Sequence, residues 1–424
     1  MADFRRKPSN AGSPPPRAPR RGPSPEPRVR RHTARLPADV VNHVRMGHPF
    51  VYREAMPRTL NEQSGAILEL VDGDGQFVAR GLYDAEGIVA IRVLSLDPAQ
   101  APGPTLWHRR VEQAVALRSK LIDPTQTTAY RIVNGEGDGI PGVTVDRYGD
   151  FLVVQLFTAA TEPHLEAIYE ALVAVVAPKG IYEQRRYKPQ TGDGPRAPAQ
   201  HVRGAIAPVE QIIRENGKQF VVDVTAPLST GLFPDLRRGR EAIARVAPGR
   251  RVLNLFSYTG AFSVYAAAAG ATHVTSVDLA TKAQARARRN FELNGLDLTK
   301  ATFDSGDAFA LLKQSADRGK KFELIVLDPP SFSQSKGRTF QALRDYAELV
   351  TAALSVAEPR SLVACAANTH KLSVEDHDRA IGEGAYRAGR MVRTIDRAGL
   401  PQDFPVPAGF ADGHYLKFNL CYVE

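Results

Sequence analysis

The stretch Val252-Leu253-Asn254-Leu255-Phe256-Ser257-Tyr258-Thr259-Gly260-Ala261-Phe262 constrains this chain more than any other. An apolar run of strand length meets a turn holding one glycine. An Ala-rich stretch to Ala269 follows, and alanine is the best helix former. Gly270 ends that helix, His273–Val277 reads as the next strand, and Asp278 falls at its carboxyl end, 18 residues after Gly260. Strand, helix and strand in this order make a βαβ unit. Such a unit requires parallel strands in a sheet with helices on its faces. Ligands of these sheets bind beyond the carboxyl ends of the strands.

The turn narrows the ligand. Gly260 lets backbone come close to it, and a carboxylate at Asp278 accepts hydrogen bonds from ribose hydroxyls. Asp278 as a plain strand-end or cap acid is the competing reading. The turn is not Gly-x-Gly-x-x-Gly, which a pyrophosphate requires. That disfavours a nicotinamide oxidoreductase and favours S-adenosylmethionine, a nucleoside cofactor without phosphates. Asp307, in Asp304-Ser305-Gly306-Asp307, follows another predicted strand. It either accepts from an adenine amine or caps a helix.

Further on, Leu324–Leu327 is an apolar strand that ends in Asp328-Pro329-Pro330-Ser331-Phe332. Two prolines stiffen the loop at the edge where chemistry belongs. Asp328 and the neighbouring carbonyls can accept from an exocyclic amine. Phe332 offers a face to a flipped base, and Lys336 and Arg338 can meet phosphates. A strand-ending turn with solvated cations is the plainer alternative.

The rest of the chain reads as separate units. Residues 1–35 hold ten Arg/Lys, two acids and eight prolines, so most of the net charge of +9 lies there. Such a tail cannot bury a core and is expected to be disordered, serving RNA attachment or solubility. The pattern predicts strands at Ala66–Val71, Gln76–Tyr83 and Ile88–Leu94, the first two joined by Asp72-Gly73-Asp74-Gly75. They suggest a small β-barrel over 36–105. A linking α/β subdomain is expected over 106–205. It has helices at Trp107–Ile122 and Pro163–Ala177, strands at Val143–Asp146 and Phe151–Phe157, and a Pro/Gly-rich loop at Lys188–Ala199. The doubly wound domain takes 206–424, with further strands at Arg251–Leu255, Leu362–Ala367 and Tyr415–Val423. The two cysteines, Cys365 and Cys421, argue against a disulfide framework, a cysteine-rich zinc site or an iron–sulfur cluster, and no metal is expected. No apolar run reaches the roughly 20 residues of a membrane span. A reducing cytoplasm and no membrane partner are the expectation.

These residues together resemble the class I S-adenosylmethionine-dependent methyltransferases. The chain is similar to the bacterial PUA-domain-containing 23S rRNA methyltransferases, typified by cytosine-C5 enzymes. Gly47-His48-Pro49-Phe50, Phe77–Tyr83 and Ile91–Leu94 match the PUA part. Asn134–Gly142 and Asp146–Asp150 match the centre. Thr230-Gly231-Leu232-Phe233 with Asp235 and Arg237, Phe256–Gly260, Asp328–Phe332 and Tyr415-Leu416-Lys417 match the C-terminal domain. The resemblance implies a Rossmann-like domain with a seven-stranded, mostly parallel sheet. It implies 23S rRNA or an assembling large subunit as partner, with a homodimer as one possible assembly. For the cofactor it points to Asp235, Arg237, Asn254, Phe256, Ser257, Tyr258, Gly260, Asp278, Asp307 and Asp328. For catalysis it points to Asp328, Pro329, Pro330, Phe332, Asn368 and Cys365.

One departure bears on the chemistry. Cytosine C5 is a poor nucleophile until a cysteine thiolate adds to C6. Relatives with that activity carry Ser-Cys-Ser at the end of the strand that follows Asp-Pro-Pro, whereas this chain reads Ala364-Cys365-Ala366-Ala367-Asn368-Thr369-His370 there. Asn368 stands in the nucleophile's place and Cys365 three residues earlier, where a small core residue is the competing reading. Asp-Pro-Pro-Ser-Phe-Ser-Gln-Ser-Lys with a later Asn also resembles the rRNA guanine (N2 or N7) methyltransferases, which need no covalent nucleophile. Asn368 or His370 then helps hold the base. An RNA-binding protein with an inactive methyltransferase fold is the remaining alternative.

Overall fold

The structure is a computed structural model that describes residues 32–56, 60, 62–187, 197–227, 229–335 and 338–424. The expected tail up to residue 31, Lys336 and residues 188–196 of the expected Pro/Gly-rich loop lie outside the described residues.

The C-terminal part is built on seven strands. These are β1 (Arg251–Leu255), β2 (His273–Asp278), β3 (Ala301–Ser305), β4 (Phe322–Leu327), β5 (Ala357–Asn368), β6 (Val392–Ala398) and β7 (Leu416–Val423). Their order is β3-β2-β1-β4-β5-β7-β6. β3, β2, β1, β4 and β5 are parallel, and β7 runs antiparallel to both β5 and β6. Helices cover both faces, so the central strands are apolar on both sides and do not alternate. Val252, Leu253, Leu255 and Leu324–Leu327 are all buried. Each such Leu or Val contributes about 1.5–3 kcal/mol through burial. The order reverses at β1 and β4, which opens a crevice above their carboxyl ends.

Two further five-stranded sheets precede this one. The first has the order His32–Arg35, Ile67–Val71, Phe77–Tyr83, Val89–Ser95, Phe50–Tyr52, with the helix Ala38–Arg45 against it. Its first strand falls inside the segment expected to be tail. His-Thr-Ala-Arg buries only Ala34, so pattern reading had little to detect, yet it pairs in parallel with Ile67–Val71. The second sheet has the order Gln200–Gly204, Gly180–Arg185, Phe151–Leu156, Val143–Tyr148, Ala129–Asn134, packed against helices Pro104–Leu121 and Leu165–Val176.

A hairpin, Gln211–Glu215 with Lys218–Val222, bridges to the third sheet. Its buried Glu215 takes two hydrogen bonds from Arg240 at 2.7 Å each and one from the Tyr265 hydroxyl at 2.9 Å. Arg240 also donates to the Phe233 carbonyl at 2.9 Å. This network fixes the loop 229–236, which forms one wall of the crevice.

Candidate active site

The crevice above β1 holds a cleft of about 530 Å³. Its walls include Phe256, Tyr258, Asp278, Leu279, Asp328 and Pro330. The turn after β1 is locally strained: Phe256, Tyr258 and Gly260 all take the left-handed conformation, at φ 57°, 47° and 76°. Non-glycine residues pay for that conformation, and a surrounding scaffold must hold them there. Here the helix Thr281–Leu293 does so. Gln284 donates to the Ser257 hydroxyl at 2.7 Å and Asn290 to the Thr259 carbonyl at 2.8 Å. The Thr259 hydroxyl donates to the Gly231 carbonyl at 2.6 Å. A Cβ at position 260 would stand 2.8 Å from the Ala287 Cβ, so the glycine is required for packing as well as for φ.

Asp278 sits where β2 ends, with one oxygen accepting from the Tyr258 N–H and the other from the Ala280 N–H, both at 2.9 Å. Those bonds orient the carboxylate and leave it lone pairs for hydroxyl donors. Apolar walls, an oriented acid and close backbone suit a ribose and an adenine, so the residues fit S-adenosylmethionine.

A second cavity of about 660 Å³ adjoins the first, with Leu232, Phe233 and Asn368 lining both. Residues of all three sheets or their loops wall it: Tyr52 and Arg92, then Arg131 and Asp146, then Asp235 and Tyr415. Arg131 and Asp146 are register partners on adjacent strands, joined at 2.6 and 3.0 Å. The Arg131 guanidinium lies 4.4 Å from the centre of the Phe404 ring. β7 runs beside β5 with Leu416 opposite Asn368, which brings Tyr415 to the same edge. The Tyr415 hydroxyl and the Asn368 amide both donate to Asp235 Oδ2, at 3.0 and 3.2 Å. Asp235 is only 7% exposed and its Oδ1 has no hydrogen-bond partner among the described residues. Burial pushes its carboxyl above the usual carboxylate range, opposed by Arg131. Asp328, in the lining of the cofactor cleft, is half-buried, and burial, aided by Asp235, pushes its carboxyl up to about 7.

The structure brings Asp278, Phe256, Ser257, Tyr258, Asp328, Pro329, Pro330 and Asn368 to the cleft. Gly260 shapes its turn from below. Several expected residues stand elsewhere. Asn254 is 1% exposed and donates to the Ser263 hydroxyl under the turn, because β1 points it into the sheet–helix layer. Arg237 is buried in an ion pair with Asp403 and lines neither cavity. Asp235 belongs to the second cavity. Asp307 caps the helix Ala308–Asp317 through a 3.0 Å bond from the Ala310 N–H, at the strand edge beside Asp278 but outside the cleft lining. Cys365 is 1% exposed in the core, and the neighbouring Cys421 thiol and burial push its own thiol up. Burial and a raised thiol both disfavour the thiolate that a nucleophilic cysteine needs. Phe332 starts the short strand Phe332–Ser335, which pairs with Arg338–Gln341. The side chains of Phe332 and Arg338 lie outside the description.

Sequence reading missed Arg131, Asp146 and Tyr415 as site residues. The available signal was an acid and a base at facing positions of a hairpin, but the strand Ala129–Asn134 was not among those predicted.

Known proteins give the same picture. Residues 131–414 match the family model described as S-adenosylmethionine-dependent methyltransferase, and residues 35–96 match a PUA-like domain. The chain is 35% identical over 377 residues to the ribosomal RNA large subunit methyltransferase I of Klebsiella pneumoniae (strain 342), covering 89% of this chain and 94% of that one. The protein of the same name from Escherichia coli (strain K12) is also 35% identical, over 89% and 95%. Among solved structures, the methyltransferase SMU.776 in complex with SAH superposes with a TM-score of 0.85 at 27% identity, covering 92% of this chain and all of that one.

Proposed function

This chain belongs to the S-adenosylmethionine-dependent methyltransferases, with a PUA-like domain ahead of the catalytic fold, and from that premise we propose that it methylates a base of large-subunit ribosomal RNA by direct transfer, with no covalent enzyme–base intermediate. The observation that carries the direct route is Asn368 at the junction of the two cavities while both cysteines are buried.

Bound S-adenosylmethionine supplies an electrophilic methyl group. Asp278 would hold its ribose, Phe256 and Leu279 would flank its adenine, and the turn Phe256–Gly260 would bring backbone close to it. The target base, turned out of its stack, enters the second cavity, and Asn368 and Asp328 stand on its approach to the cleft. The residues around the base would align its ring or amino nitrogen with that methyl group, which would pass to the nitrogen as its bond to the sulfonium sulfur breaks and S-adenosylhomocysteine leaves. For an amino nitrogen, the N–H proton leaves to a carboxylate oxygen of Asp328, whose raised proton affinity suits it to that role. The main contribution is orientation, since the nitrogen is nucleophile enough. The PUA-like part places Phe50, Tyr52 and Arg92 on the cavity wall, where stacking and a cation receive neighbouring nucleotides. The segment 106–205 acts as the spacer that sets this distance, the basic tail adds electrostatic attraction to RNA, and the cytoplasm is where the reaction takes place.

Nucleoside mass spectrometry of large-subunit rRNA, with and without the gene, tests the reading. An N-methylated purine or N4-methylcytidine that disappears with the gene is the expected result. Loss of 5-methylcytidine instead overturns direct transfer.

A further inference from the structure

The second cavity contains a device that the methyl-transfer chemistry alone does not require. Asp235 is buried, yet its Oδ2 takes two donors, the Asn368 amide and the Tyr415 hydroxyl. A carboxylate oxygen only accepts hydrogen bonds. The half of the Asn368 amide that faces Asp235 must therefore be the NH₂. The other half is the carbonyl oxygen Oδ1, which has no hydrogen bond to the described residues. Asn368 lines both the cofactor cleft and the second cavity, and its backbone is anchored by the Ser331 hydroxyl on its carbonyl at 3.1 Å. An asparagine without such a partner presents either face of its amide. Tyr415 in turn holds the carboxylate, and Lys417 ties down the following loop through the Thr369 carbonyl at 2.7 Å.

We infer that Asp235 is a positioning residue that fixes the Asn368 amide with its oxygen open to substrate, so that the site accepts a target base presenting an N–H donor, an exocyclic amine, between Asn368 Oδ1 and Asp328. A base that offers only a carbonyl at that position meets two acceptors and is rejected. This deepens the rRNA-base reading above and rests on it.

The test is a double-mutant cycle on the full chain, with undermethylated large-subunit rRNA as substrate. Asp235→Asn frees the Asn368 amide to turn and lowers kcat by about 10- to 100-fold, with the calorimetric affinity for S-adenosylmethionine unchanged. Asn368→Ala gives a loss of the same order, and the double variant is no worse than Asn368→Ala. Losses that multiply overturn the inference, because Asp235 then acts independently of Asn368. A fall in cofactor affinity for Asp235→Asn overturns it too and returns Asp235 to the cofactor site. If Asp235→Asn does not fold, Tyr415→Phe loosens the same carboxylate and gives a smaller loss with the same non-additivity. Wild-type protein that binds cofactor but transfers no methyl to rRNA defeats the underlying reading instead, which separates the two failures.

Discussion

The two cavities are neighbours but have opposite origins in the chain. The cofactor cleft comes largely from one continuous stretch, β1 to β2, with the loop after β4 closing it. The second cavity is assembled from strands and loops of three sheets, with residues as far apart as Tyr52 and Tyr415. A ligand shared by a whole family of enzymes is held by a local motif. The second cavity, where the proposed function puts the target base, is lined by side chains that meet only when the sheets dock.

If that division holds, damage should separate along it. Glu215→Ala is the exception that sets the scale, because its pair with Arg240 supports the wall common to both cavities. Removing one partner of a fully buried ion pair costs about 3–5 kcal/mol. Chemical denaturation should show a loss of that size, and both cofactor binding and methyl transfer should weaken with it. A loss below 1 kcal/mol would mean the shared wall stands without the network.

Asp278→Ala should strike only the cofactor side. Losing charge-assisted bonds to ribose hydroxyls costs about 1.5–3 kcal/mol, roughly a 10- to 100-fold weaker calorimetric affinity. RNA binding, followed by gel shift, should not change; a parallel loss there would mean that the cavities do not work separately.

Asp328 lines the cofactor cleft, and pH reads it. Its carboxyl titrates near 7 and accepts a proton only when ionised, so single-turnover rates should climb about tenfold per unit below that pH and level off above it. Asp328→Asn should be slow and flat across the same range. Stability has the opposite slope. A carboxyl raised on folding gains a proton relative to the unfolded chain, so stability falls as pH rises from the ordinary carboxylate range through 7. Asp328→Asn should remove that decline in a series of thermal melts.

Cys365→Ala carries the smallest functional effect. It deletes a buried sulfur from the core and should cost about 1 kcal/mol of stability, with methyl transfer at the wild-type rate.

The same division explains what could be read in advance. The cofactor turn, Asp278, the Asp-Pro-Pro loop and the parallel strands around them follow from periodicity, glycine placement and strand-end acids, whereas the count of seven strands came from the family resemblance and the strand Val392–Ala398 was not predicted. Asn368 came from counting along β5. Arg131 and Asp146 were hidden because a charged residue within a strand looks like surface until its neighbour across the sheet is known, and Tyr415 because nothing local shows that it meets Asp235, 180 residues away. Arg237 and Asn254 misled for the converse reason. A polar residue near a motif resembles a ligand contact, while Asp403, 166 residues away from Arg237, was already its partner.

Trapping most directly tests direct transfer. Large-subunit rRNA transcribed with 5-fluorocytidine is incubated with the protein and S-adenosylmethionine, then run on a denaturing gel. An enzyme that attacks C6 with a thiol stays covalently bound, since the fluorine blocks release. The account predicts methyl transfer to a nitrogen and no protein–RNA adduct. An adduct that forms with the wild type and is lost in Cys365→Ala would contradict it.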